Sequence, residues 1–226
     1  MSSDTEAKDN KHDENKMTVK YSRFSFYKID QTFRKLDANI RLQAKEEALS
    51  VVDGYRDDEA MLLSYSLIAT RQDCDFMFWL MAESLDLVED FASKITRTSL
   101  GPYLSLKRSL LFQTPKSFKP FGKEFMFLMA VNKGGRFGSL PRKEKDTVIE
   151  ELAKKSSGNS SIRFLKTTVS LDDSLCAFIF EADSIEDFLQ LKDELASSDT
   201  FSCVLEDSSF YTAIARDPKL ILDSLG

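Results

Sequence analysis

The sequence predicts a mixed α+β fold made of two copies of one β-α-β-β-α-β unit, and three observations lead there. A strand–turn–helix stretch is stated twice: residues 75–91 read DFMFWLMAESLDLVEDF and residues 175–191 read LCAFIFEADSIEDFLQL. At a constant spacing of 100 residues, Phe78 lies over Phe178, Ala82 over Ala182 and Ser84 over Ser184. Glu83/Asp183, Leu85/Ile185 and Asp86/Glu186 keep their chemical type. A period this long marks a duplicated unit, because solenoid repeats run to a few tens of residues. The second observation is the stretch TPKSFKPFGK at 114–123, whose prolines and glycine read as a linker between the copies. The third is that the same order of alternating and helical apolar patterns appears on both sides of it.

The elements follow in order. Residues 1–16 are mostly charged or polar, with no large apolar side chain beyond Met1, so they bury too little to offset ordering and read as a disordered tail. The first half spans 17–113. A strand at 18–29 alternates around Phe24 and Phe26. Phe33, Leu36, Ile40, Ala44, Ala48 and Val51 then form one helix face, stopped at Asp53-Gly54. Strands at 61–69 and 76–81 flank a polar turn. Ser84 caps a helix with face Leu85, Val88, Phe91 and Ile95. Leu100-Gly101-Pro102 ends it, and 105–113 is a strand.

The second half spans 124–226. Its first strand, 124–131, is apolar on both faces and belongs mid-sheet. Gly134-Gly135 and Gly138 make a loop, and Pro141 opens a helix carrying Val148, Ile149 and Leu152. Strands at 162–170 and 175–181 precede a helix that starts at Ser184-Ile-Glu-Asp187, with face Ile185, Phe188, Leu191 and Leu195. A last strand is expected over 201–211. Each half is thus a ferredoxin-like unit with helices on one sheet face. The bare faces, rich in Phe and Met, cover each other by packing sheet on sheet. Eight strands and four long helices result.

Composition excludes several function classes. The net charge of −6 gives no basic footprint for nucleic acid. No apolar run reaches membrane-span length, and the N-terminus lacks a signal-peptide apolar region. Three cysteines (Cys74, Cys176, Cys203) share no metal-type spacing, and their odd number argues against a disulfide framework. A cytoplasmic protein is the expectation. The one histidine, His12, sits in the expected tail. Cys176 and Cys203 read as small buried hydrophobes in strands, and no Cys–His nucleophile is available. Asp172-Asp173 reads as turn chemistry rather than a cation site.

Several segments carry a family resemblance: FSFYKID (24–30), FRKL (33–36), YSLIATRQDCDFMFW (65–79), RTSLGPYL (97–104), Asn132-Lys133, Leu140-Pro141, Leu171-Asp172-Asp173 and EDSSFYT (206–212). In this order they resemble the chlorite dismutase-like family of chlorite dismutases and coproheme decarboxylases. The resemblance runs from about Tyr21 to Thr212. It implies a dimeric α+β barrel within one chain and a homo-oligomer, commonly a ring-shaped homopentamer. It also implies a haem or coproheme site in the second half, between the sheet and the helix after Leu-Pro.

Where the family carries its iron-ligating histidine, after a run like LPxEERxxxxxEH, LPRKEKDTVIEEL (140–152) places Leu152. An isobutyl group has no lone pair for iron. As an ordinary core residue, Leu152 completes the Val148/Ile149 stripe. Coproheme decarboxylases also carry a tyrosine four residues before a pocket lysine. Lys133 fits that lysine, but Met129 stands at the tyrosine position. Lys133 is either a point charge for a propionate or other carboxylate, or a solvated loop lysine. Arg163 lies eight residues before Leu171, where a distal arginine sits in chlorite dismutases. A one-residue slip in this alignment turns it out of the pocket.

The expectation is therefore a member of this family that has lost haem binding. It has no catalytic or metal-ligating residue and no cofactor. It acts as an oligomeric structural barrel or one that binds a small apolar or carboxylated molecule, without nucleic-acid or membrane partners. The rival is an enzyme: a haem- or coproheme-dependent oxidoreductase with an unusual iron ligand.

Overall fold

A computed structural model describes residues 19–56, 59–115, 117–167, 169–172 and 174–226. The expected tail and His12 lie outside them, as does Asp173. The first half runs β1 (Val19–Ile29), α1 (Ala38–Asp53), β2 (Ala60–Ser66), β3 (Phe76–Ala82), α2 (Leu85–Arg97) and β4 (Leu104–Pro115). The second runs β5 (Phe125–Asn132), α3 (Arg136–Ser139), α4 (Arg142–Ser157), β6 (Ile162–Lys166), β7 (Val169–Ser170), β8 (Ser174–Ala182), α5 (Ile185–Ala196), α6 (Asp199–Glu206), β9 (Ser208–Ala215) and α7 (Pro218–Ser224).

The strands form one sheet in the order β6-β8-β5-β9-β2-β3-β1-β4-β7. Within it, β2-β3-β1-β4 and β6-β8-β5-β9 are the same antiparallel order drawn twice, which is the order of the split βαβ unit. The halves join at two short seams. Tyr65 and Ser66 of β2 pair with Ala215 and Ile214 of β9, and Phe112 and Gln113 of β4 pair with Ser170 and Val169 of β7. Because β7 follows β6 directly in the chain, the two ends of the strand order meet and the sheet closes on itself.

Strict alternation sorts the side chains into three layers. From β3, Met77, Trp79 and Met81 point into the barrel while Phe76, Phe78, Leu80 and Ala82 meet α1, α2 and α7. From β5, Met126, Leu128 and Ala130 point in while Phe127, Met129 and Val131 meet the helices of the second half. A bulge keeps β4 in step. Phe26 pairs with Arg108 and Tyr27 with Leu106, leaving Lys107 over, so Leu104 faces the helices while Leu110 and Phe112 face inward. Inside, Phe24 stacks on Trp79 with centroids 4.9 Å apart, and the indole N–H donates to Ser22 Oγ at 2.6 Å. The linker also folds inward. Phe118 packs edge-on against Trp79, and the backbone N–H groups of Phe121 and Gly122 donate to the buried Glu181 carboxylate at 2.6 and 3.2 Å.

Several details differ from the sequence expectation. The strand expected at 61–69 stops at Ser66, the one expected at 162–170 is split into β6 and β7, and Leu85 and Ile185, expected on helix faces, are exposed. The strand expected at 201–211 is α6 followed by β9, because Phe201 and Val204, three residues apart, bury one helical stripe. Cys203 therefore belongs to a helix. The glycine loop after β5 contains the single turn α3, which buries Phe137. The helix expected from Phe33 begins at Ala38, since Asp37 caps it and a 3-10 turn, Gln31–Lys35, carries Phe33 into the core; Ile40 is exposed and Val52, not Val51, completes the buried face. Pro141 lies at the N-cap of α4 rather than in its first turn. Among the described residues no helix is long and apolar enough to cross a membrane.

Candidate functional site

The layer between α4, α5 and the second-half sheet holds the residues singled out by sequence. α4 buries Val148, Leu152 and Ser156, one turn apart each, and Ser156 Oγ closes on the Leu152 carbonyl at 2.7 Å. Leu152 is fully buried. The same buried cluster holds Met129 and Val131 of β5, Cys176, Phe178 and Phe180 of β8, and Ile162 of β6. Phe127 and Phe188 stack at 3.7 Å, and Phe137 of α3 meets the Phe178 edge at 5.9 Å. Among the described residues, this hydrocarbon layer buries the sulfurs of Met129 and Cys176 and the Ser156 hydroxyl. Burial pushes the Cys176 thiol up to about 11, against the pull of Lys166 and Lys145, so it is protonated at neutral pH.

A cavity of about 160 Å³ opens at the Arg142 end of α4. Its apolar wall is Phe137, Ile149 and Leu175, Cys176 lines it too, and Lys145 and Lys166 supply charge. Strand alternation explains Lys166: it follows Ile162 and Phe164 on the face turned toward α4. Lys145 stands one turn before Ile149 on α4 and donates to the Gly138 carbonyl at 2.6 Å. Arg142 and Asp146 complete the lining and approach each other to 3.9 Å. A larger cleft of about 400 Å³ lies at the other end of α4, where Lys155, Asp187 and Glu194 mix charges. It shares no residue with the layer described above beyond Leu191.

The structure does not bring the three sequence candidates together. Leu152 is in the layer. Lys133 is exposed beyond β5 and donates to the Asp172 carbonyl at 2.5 Å, joining two loops. Asp172 is itself a turn residue: it accepts from Ser170 Oγ, Ser174 N and Leu111 N, so its carboxyl is held below the usual range by these bonds despite burial. Arg163 is exposed on the face of β6 opposite Ile162, with its guanidinium 5.7 Å from the Phe121 ring. Sequence reading did not single out Lys145 or Lys166 as site residues. A lysine at the same strand parity as Ile162 and Phe164 was the available signal.

A family model described as chlorite dismutase matches residues 41–216. The chain belongs to the chlorite dismutase family. Solved structures agree with this in fold. A variant of chlorite dismutase from Candidatus Nitrospira defluvii superposes with TM-score 0.79 at 18% identity, covering 91% of this chain and 95% of that one. The same organism's chlorite dismutase in complex with imidazole gives 0.76 at 18%, with 93% and 96% covered. A haem-binding protein from Thermus thermophilus gives 0.73 at 15%, with 92% and 95% covered. In this chlorite dismutase family chain, the helix after Leu140-Pro141 is α4, and its buried face toward the sheet carries Val148, Leu152 and Ser156.

Proposed function

We propose that this chlorite dismutase family chain has lost haem binding and acts as an oligomeric, cytoplasmic barrel that binds a small carboxylated or apolar molecule. One observation carries the reading: Leu152, the residue aligned with the family's iron ligand, is fully buried in the α4–sheet layer and offers no lone pair. Two further features support it. Among the described residues, the sulfur donors in that layer are a thioether and a thiol that burial keeps protonated. The cavity beside them, about 160 Å³, is smaller than the roughly 300 Å³ at which pockets for drug-sized ligands begin. On this reading the layer does not fit a porphyrin ligated from α4. Self-association, with a pentamer as the expected number, completes the proposal.

The rival reading, a haem- or coproheme-dependent oxidoreductase with an unusual ligand, has Cys176 and Met129 in its favour, since both place sulfur in the same layer. Leu152→His separates the two. If a haem-shaped space survives, the variant gains haem affinity and a histidine-ligated spectrum that the parent protein lacks. If the layer is closed, the imidazole goes unpartnered and only destabilises, by about 1–3 kcal/mol. A parent protein that already binds haem stoichiometrically would contradict the proposal.

A further inference from the structure

We infer that the cavity beside Cys176 is a binding site for a compact organic carboxylate with a flat or short apolar body, its charge held between Lys145 and Lys166. This rests on the small-molecule reading above and names its ligand class. Four observations meet here. The cavity is lined on one side by Phe137, Ile149 and Leu175, which offer no hydrogen bonds and select an apolar body. Lys145 and Lys166 line the same cavity as Cys176, so their charges share that space.

Neither lysine has an ion-pair partner among the described residues; the carboxylate that also lines the cavity, Asp146, is exposed and pairs with Arg142 at 3.9 Å, which leaves the two lysine charges in excess. Both lysines are half-buried beside apolar side chains, where a carboxylate is the natural counter-charge. Here the chain supplies hydrocarbon and a neutral carbonyl instead. The fourth observation is size. About 160 Å³ accommodates a single ring or a short chain with one carboxylate. It is too small for a macrocycle.

The same chemistry could come from a free carboxylate or from the propionate arm of a porphyrin, and the test separates them. Benzoate is titrated into the full-length protein by calorimetry, with benzamide as the neutral shape-match, inorganic phosphate as the anion without an apolar body, and haem in a separate arm. Saturable benzoate binding is expected, at least about tenfold tighter than benzamide or phosphate. Lys166→Gln and Lys145→Gln should each weaken benzoate by about tenfold with the far-ultraviolet dichroism unchanged.

Alkylation of Cys176, followed by peptide mass, should slow when benzoate is present. Equal binding of benzoate and benzamide, or no binding of either, overturns the inference even if the lysine variants fail to fold. Tighter binding of phosphate than of benzoate overturns the apolar half of it. Haem that binds and is displaced by benzoate would instead overturn the haem-free reading while leaving the lysine site standing as a propionate clamp.

Discussion

The two helix–sheet layers of the barrel start from one repeated unit and end differently. In the first half, α1 lies on the sheet through Ala44, Ala48 and Val52. In the second, α4 does so through Val148, Leu152 and Ser156, with the same four-residue step. Small side chains let a helix approach closely, and larger ones hold its axis off. The first layer is also roofed by α7, which buries Ile221 and Leu222 beside α1. The second has only the short α3 and α6, and between α3 and α4 it leaves the lysine-lined cavity.

The second helices kept more in common. Val88 and Phe91 of α2 correspond to Phe188 and Leu191 of α5, so the large ring has moved by one turn while the stripe persists. Inside the barrel, Met81 corresponds to Glu181: one packs, the other anchors the linker. The duplicated frame tolerates divergence wherever a side chain's task is local.

The sharpest way to break this comparison is to remove the ring from each layer in turn. Phe91→Ala and Phe188→Ala should each cost about 3–5 kcal/mol in urea unfolding, since both rings are buried among aromatic neighbours. A near-neutral result in one half would mean that layer is not packed as described. Exchanging the helix contacts comes next. Leu152→Ala should cost about 2–5 kcal/mol by opening a void. The reverse change, Ala48→Leu, should cost about 1–3 kcal/mol by overpacking, if α1 is the closer helix.

A smaller effect belongs to Glu181. Desolvation raises its pKa, only partly offset by the N–H groups of Phe121, Gly122 and Lys123. A carboxyl whose folded pKa is raised adds stability that is complete below its ordinary value near 4.5 and is lost as pH rises through the folded value. Relative to the parent protein, Glu181→Gln should therefore gain thermal midpoint as the pH is taken from about 4 to about 8. A constant difference across that range would assign Glu181 no such role. The smallest effects test what the halves share. Ser84 Oγ accepts from Leu87 N at 3.3 Å and Ser184 Oγ from Asp187 N at 3.1 Å, so Ser84→Ala and Ser184→Ala should each cost about 1 kcal/mol. Costs that differ widely would show that the repeated caps are not equivalent.

Sequence carried most of the frame because its signals are local and periodic. The short apolar run Phe76–Ala82, the Ser84 and Ser184 caps and the break at Leu100-Gly101-Pro102 need no distant contact to be read. Residues 201–206 misled because Phe201, Val204 and Leu205 form too short an apolar run to distinguish a strand from a helical turn, and packing against Phe188's helix decided it. The site was less legible. Leu152 could be placed because α4 is long and anchored at Leu140-Pro141. Lys133 and Arg163 depended on loop geometry and on a single-residue register, which a resemblance between distant sequences does not fix. Lys145 and Lys166 come together only through tertiary packing of α4 on β6.

The account rests on the second layer having exchanged an iron ligand for hydrocarbon at Leu152. Its most direct test is the visible spectrum of the full-length protein purified from haem-replete cells, read against protein concentration. The account predicts no Soret band beyond a small fraction of the chains, and none of histidine-ligated form after haem is added. A strong Soret band at one haem per chain would contradict it and direct attention to Cys176 as the ligand.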